Sequence, residues 1–254
     1  MDLGLAGRVY VVSGGSRGLG RATAAALVAD GARVVLGARD AAAVERAAQE
    51  LGGPAHAVGV EADLGEAASA RRLVEAAHTA YDGLDGALVS VGGPPAGTAL
   101  ETSEDDWRAA FESVFLGALR LSRLVAGAIG PDGGAIGLVL SSSVRSPIPG
   151  LAISNGLRPG LAGVAKSLAD ELGPRGIRVF GLMPGRIATD RTVHLDSLSG
   201  DADAARQRSE STIPLRRYGQ PAEFGQVAAF LLSPAASYVT GVTVPIDGGA
   251  LRML

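Results

Sequence analysis

The chain has 254 residues, enough for one large domain or two small ones; 47% are apolar, only 4% are aromatic and 37 are glycine, so its core must pack through Ala, Val, Leu and close backbone approach. A net charge of −3 without a basic cluster gives a nucleic-acid surface no electrostatic support, and the lack of cysteine excludes disulfides, thiolate nucleophiles and zinc–thiolate sites. No apolar run reaches the ~18 residues of a membrane span, and the first strand begins within about ten residues of the start, leaving no room for a signal peptide, so a soluble, cytoplasmic protein is expected.

The first predicted strand covers residues 9–12, a mostly β-branched apolar run, and the alanine-rich segment 21–30 reads as helix. Between them lies Ser13-Gly14-Gly15-Ser16-Arg17-Gly18-Leu19-Gly20, with the spacing G-x-x-x-G-x-G and not G-x-G-x-x-G. Such a turn faces outward with unpaired N–H groups and the positive end of a helix dipole, where a pyrophosphate is the usual occupant. Plain chain reversal is the other use of a glycine turn. A second strand, residues 34–36, completes the spacing of a βαβ unit. It ends in Ala38-Arg39, where a dinucleotide fold carries either a carboxylate for a free ribose 2′-hydroxyl or an Arg for a 2′-phosphate. Arg39, with Arg17 in the turn, favours NADP(H) and leaves NAD(H) open, unless both arginines are only solvated surface charge.

A helix over residues 41–51 stops at Gly52-Gly53-Pro54, and a third strand, 56–60, leads into Asp63-Leu64. After a helix over 66–81 comes a fourth strand, 87–91, running through Ser90 to Gly92-Gly93-Pro94-Pro95. This alternation predicts one α/β domain over residues 1–254, a Rossmann-like, doubly wound parallel sheet of seven strands with helices on both faces. Ligands in such sheets sit at the carboxyl ends of the strands, which makes Ser90 and Gly92 ligand-side backbone, or else part of a stiff loop. Residues 107–129 have apolar side chains at helical spacing, too many for a one-sided surface helix, so the segment is either central or an oligomer interface. The fifth strand, 135–140, delivers Ser141-Ser142-Ser143 to the same edge, and a helix ending at Leu172 follows. The sixth strand, 177–182, ends in Met183-Pro184-Gly185-Arg186-Ile187-Ala188-Thr189. Residues 190–213 are polar, without evident regular structure, and placed to act as a substrate lid. A helix over 221–232 and a last strand, 243–246, complete the chain. The three histidines, His56, His78 and His194, form no metal or triad cluster.

Taken together, Ser13-Gly14-x-x-x-Gly18-x-Gly20, Asp63-Leu64, Lys166-Ser167-Leu168-Ala169-x-Glu171-Leu172, Pro184-Gly185-x-Ile187-x-Thr189 and Thr240-Gly241 through Asp247-Gly248-Gly249 resemble a short-chain dehydrogenase/reductase nearly end to end. The nearest flavour is that of bacterial 3-oxoacyl-carrier-protein reductases. The resemblance implies an NAD(P)-binding oxidoreductase with a small-molecule carbonyl substrate, commonly a dimer or tetramer. It implies cofactor contacts from Ser13, Gly14, Ser16, Arg17, Gly18, Leu19, Gly20, Arg39, Asp63, Leu64, Ser90, Gly92, Pro184, Gly185, Ile187 and Thr189, and no metal.

The family's active site is an Asn-Ser-Tyr-Lys set. Carried over by spacing, the catalytic serine is Ser141, the tyrosine position is Ser154, the lysine position is Arg158 and the asparagine position is Val114. The family's Asn-Asn-Ala-Gly is Ser90-Val91-Gly92-Gly93, and the Asn after its sixth-strand Arg-Val is Phe180. Ser154-Asn155-Gly156-Leu157-Arg158 is similar to an atypical subgroup in which Ser-Asn-x-x-Arg replaces Tyr-x-x-x-Lys.

These substitutions alter the chemistry. A phenol has a reference pKa of ~10 that a nearby cation lowers, whereas a serine hydroxyl is a poor general acid. Arg158 offers charge and hydrogen bonds but no acid–base step. Pro159 predicts a helix that starts late or kinks, with Ser154 and Arg158 not bound to share a face. Tyr218 is the one tyrosine to consider as a stand-in acid. Three functions fit: a working NADP(H)-dependent carbonyl reductase in which Ser141 polarises the carbonyl and Arg158 or an ordered water replaces the tyrosine; a dinucleotide-binding redox sensor or structural partner with little turnover; or another enzyme, such as a lyase, with a structural cofactor.

Overall fold

A computed structural model of the chain describes residues 2–198 and 200–252. Its apolar runs form seven strands: β1 (Val9–Ser13), β2 (Arg33–Ala38), β3 (Ala57–Glu61), β4 (Gly86–Val89), β5 (Gly134–Val139), β6 (Ile177–Pro184) and β7 (Thr243–Ile246). They make one sheet in the order β3-β2-β1-β4-β5-β6-β7, with every pairing parallel. The inner strands are buried almost throughout and the edge strands β3 and β7 only in part, as a sheet covered on both faces requires. Successive side chains point to opposite faces. Val12 thus packs with Leu27, Val44 and Phe224, under α1 (Gly18–Ala29), α2 (Ala41–Glu50) and α9 (Pro221–Leu232). Val11 packs with Leu73, Leu121 and Leu161, under α3 (Ala67–Tyr81), α5 (Gly117–Ala128) and α6 (Ala152–Leu172).

Three segments differ from their sequence-based expectation. Residues 107–129 are not one regular helix: α4 (Glu104–Ala110) passes through a π-helical turn, Phe111–Leu116, into α5. Ser103 sets the earlier start by accepting the Asp106 N–H at 3.1 Å. The extra residue of the π turn carries Val114 into the interior while Phe111 and Phe115 stack at 5.2 Å.

Pro159 neither delays nor ends its helix, because α6 starts at Ala152 and runs through it. Proline removes one i→i−4 bond, a cost of about 3 kcal/mol, and tertiary bonds from its neighbours offset it. The Asn155 side chain clamps the Ile148 backbone, accepting its N–H at 3.0 Å and donating to its carbonyl at 2.9 Å, and Arg158 is anchored below. Ser154 and Arg158 therefore lie one turn apart on one buried flank of a continuous helix.

Residues 190–213 form two helices, α7 (Asp190–Ser197) and α8 (Ala202–Thr212); Ser199 between them lies outside the described residues. The polar residues that read as loop are partly caps: Thr189 accepts the Thr192 N–H and Asp201 the Ala204 N–H.

Phe180, where the resemblance implies Asn, faces Gly137 across β5 and β6. A Cβ on Gly137 would sit 2.8 Å from the Phe180 ring, so the fully buried ring fills the groove that the glycine leaves. Gly137→Val is expected to lower stability by about 1–3 kcal/mol through overpacking, and urea unfolding of the variant against the parent chain measures it.

Candidate active site at the carboxyl edge of the sheet

The strand order reverses between β1 and β4, which opens a crevice at their carboxyl ends. Ser13 closes its floor. Its Oγ donates to the Ser90 carbonyl and accepts the Ser90 N–H, both at 2.9 Å. Gly14 follows at φ +62, with room for a Cβ only 2.9 Å from the Ser90 carbonyl oxygen, and a Cβ on Gly20 would run into the Gly14 carbonyl. At these two positions the turn therefore presents bare backbone. Arg17 is the extended N-cap residue of α1 and its side chain caps nothing, so the first N–H groups of the helix keep no side-chain acceptor. A glycine-rich turn at a helix start that its N-cap side chain does not cap fits the diphosphate of a dinucleotide.

The other predicted contacts surround this turn. Ser16 and Gly18 lie in it, and Leu19 packs against the core under α1 and α9. The Arg17 side chain is exposed and 3.8 Å from Asp190. Arg39 is exposed at the end of β2, without an ion pair among the described residues, while Asp40 beside it caps α2 by accepting the Ala43 N–H at 2.9 Å. Asp63 accepts the Gly65 N–H at 2.9 Å and shapes the turn after β3, with Leu64 buried behind it. Gly92 is open to solvent beyond Ser90. Pro184 ends β6, the Gly185 N–H donates to the Ile246 carbonyl at 3.0 Å, Ile187 is buried, and Thr189 caps α7.

Beyond β5 the chain makes a short turn, Ser142–Val144, capped by Ser141. Ser141 Oγ accepts the Ser143 N–H at 3.1 Å, which leaves its own O–H proton available to a substrate. Ser143, and not Ser141, is the serine that meets Ser154: their Oγ atoms are 3.2 Å apart and both residues are buried. The family pattern over residues 134–141 points only to Ser141, because the extra turn that lifts Ser143 towards α6 leaves no mark in the sequence.

Arg158 is 5% exposed and reaches backbone alone. Its guanidinium donates to the Val139 carbonyl at the end of β5 and, at 3.2 Å, to the Val91 carbonyl beyond β4. Burial pushes its pKa down to about 10, so it is charged at neutral pH. Asn155, which sequence reasoning met only as part of a motif, has the structural role given above of holding the loop before α6. Tyr218 is buried and donates to Asp196 at 3.0 Å, and Asp196 also pairs with Arg186 at 2.9 Å. Burial raises the Tyr218 pKa, and the hydroxyl is committed to the base of α7, which removes it as a stand-in acid.

A family model described as enoyl-(acyl carrier protein) reductase matches residues 14–250. Dehydrogenase/reductase SDR family member 4 of Homo sapiens is 34% identical over 251 residues, covering 96% of this chain and 88% of its own. The chain belongs to the short-chain dehydrogenase/reductase family of oxidoreductases. A 3-oxoacyl-[acyl-carrier-protein] reductase of Synechocystis is 32% identical over 254 residues, covering 96% of this chain and 97% of its own. Among solved structures, L-sorbose reductase from Gluconobacter frateurii, complexed with NADPH and L-sorbose, superposes at a TM-score of 0.94 with 28% identity over the whole of both chains.

A lysine in place of Arg158 has one ammonium where the short-chain dehydrogenase fold of this chain needs a fork spanning two carbonyls. Arg158→Lys is expected to lower stability by about 1–3 kcal/mol, the cost of one buried carbonyl left unpaired. Urea unfolding checks it, and equal midpoints for variant and parent would show that the fork contributes nothing.

Proposed function

We propose that the protein is an NADP(H)-dependent reductase of a small carbonyl compound, working without the tyrosine, lysine and asparagine of its family. The observation that carries this is the glycine-rich turn at the uncapped start of α1, with Arg17 in it and the exposed Arg39, unpaired among the described residues, at the end of β2. Two exposed guanidiniums beside a ribose position favour a 2′-phosphate over a free hydroxyl. The NADPH-bound state of the similar L-sorbose reductase supports the same cofactor class. Ser13, Gly14, Gly20, Asp63, Ser90 and Pro184 to Thr189 then frame the cofactor by backbone more than by side chain.

A bound nicotinamide would supply the hydride. Ser141 donates its free O–H to the carbonyl oxygen and aligns it, and alignment alone removes much of the barrier. The proton for the new alkoxide is relayed through the Ser154 hydroxyl, which Ser143 orients, from a water that regains a proton from hydronium or buffer acid in the solvent, so that one solvent proton is consumed per turnover. Arg158 takes no part in proton transfer; its charge, fixed below the strand ends, favours the developing oxyanion. Helices α7 and α8 cover the site as a lid. Phe111, 42% exposed on the seam of α4 and α5, supports a homo-oligomer, dimer or tetramer. No helix among the described residues is long and apolar enough to cross a membrane, and a cytoplasmic location is part of this proposal.

The second function is dinucleotide binding with little turnover, favoured by the commitment of Arg158 to backbone and of Ser154 to Ser143. Calorimetric titration with NADPH and NADH tests the shared part first. NADPH is expected to bind about tenfold tighter, a difference of ~1.4 kcal/mol, and Arg39→Ala to erase the preference. A folded sample that binds neither nucleotide overturns both functions.

A further inference from the structure

Two guanidiniums converge on the four-residue segment from Val91 to Pro94. Arg158 comes from beneath, on α6, and donates to the Val91 carbonyl at 3.2 Å. Arg191 comes from above, on α7, and donates to the Pro94 carbonyl at 2.8 Å. The Arg191 guanidinium lies so close over Gly93 that a Cβ there would be 3.1 Å from its Nε. Neither arginine has a carboxylate partner among the described residues, and Ser90 to Pro95 contains no acidic residue. The nearby carboxylates are used elsewhere: Asp190 faces Arg17, Asp196 pairs with Arg186 and Tyr218, and Asp247 accepts the N–H groups of Gly249 and Leu251.

A buried or half-buried cation without an anion is costly, because carbonyl dipoles replace only part of its lost hydration. Burial depresses the pKa of both arginines, yet a guanidinium stays charged at neutral pH. The carboxyl edge of the sheet therefore carries two positive charges above and below the strand-four loop, with the neutral hydroxyls of Ser141, Ser143 and Ser154 nearby. An uncharged ketone would leave that field uncompensated.

We propose that the substrate of this site is an anionic carbonyl compound, an oxo acid whose carboxylate is anchored by Arg191 within the field of Arg158. The inference rests on the reductase function above and narrows its substrate class. Arg191 is mobile with α7 relative to the sheet only at the expense of its bond to Pro94, so an anion bridging Arg191 and the strand-four loop also holds the lid down. The diphosphate of the cofactor is a second possible source of negative charge for Arg191, and the experiment separates the two.

The test is a calorimetric titration of the NADP⁺-loaded protein with matched pairs, phenylglyoxylate against its methyl ester and levulinate against its methyl ester. At least one carboxylate is expected to bind about tenfold or more tightly than its ester, the worth of a charge-assisted hydrogen bond. Arg191→Gln is expected to abolish that preference and Arg191→Lys to keep part of it, with added salt weakening only the carboxylate. Equal affinity for acid and ester, or no binding of any acid by protein that binds NADP⁺, overturns the inference while leaving dinucleotide binding intact. An Arg191→Gln variant that loses affinity for NADP⁺ and for ADP-ribose, with acid and ester still distinguished, assigns the guanidinium to the diphosphate and overturns it as well. Protein that binds no dinucleotide overturns the reductase function itself.

Discussion

The site depends on one fork. Arg158 joins the Val139 carbonyl at the end of β5 and the Val91 carbonyl beyond β4, reaching both from a helix that packs on the neighbouring strand β6. Where strands of a parallel sheet end, their last carbonyls point into the crevice with no neighbour to pair them, and an unpaired buried carbonyl costs about 1–3 kcal/mol. A planar guanidinium answers two of them at once; an ammonium on a flexible stem does not. Arg158, which the resemblance aligns with the family's lysine, is a structural brace in this chain, and its charge is buried as a consequence.

That brace settles what the neighbouring residues do. With Arg158 held down, Ser154 one turn earlier is held against Ser143, and Asn155 is turned outward to clamp Ile148 and the loop that borders the crevice. Pro159 is tolerated in this helix because those bonds fix the backbone on its N-terminal side. The crevice offers a glycine-rich turn and the hydroxyls of Ser141, Ser143 and Ser154, with no phenol placed among them in the described residues. Positioning and electrostatics remain, and hydride transfer relies on both more than on acid strength.

Most of the fold was legible in the sequence. Uninterrupted Val and Leu runs separated by Ala-rich helices left a doubly wound sheet as the simplest arrangement, and the glycine turn marked the candidate ligand edge. What escaped was set by tertiary contact. The π turn at Val114 has the composition of ordinary helix, and the pairing of Ser143 with Ser154 depends on a capped turn that spacing does not record. The late helix start that Pro159 suggests does not occur, because the clamp of Asn155 on Ile148 acts across seven residues. The caps Thr189 and Asp201 made helices of a segment whose composition suggested a loop. The partners of Arg158 are backbone carbonyls, to which sequence is blind, so its role as a brace could come only from structure.

The central claim is that this chain reduces a carbonyl without the tyrosine and lysine. Its most direct test compares NADPH oxidation, with formation of the alcohol, by the natural chain and by Ser154→Tyr/Arg158→Lys on one panel of neutral and acidic carbonyl compounds. The account predicts turnover by the natural chain and no gain in the double variant, which loses the fork. Activity that appears only in the double variant, with the natural chain binding NADPH but inert, would contradict it.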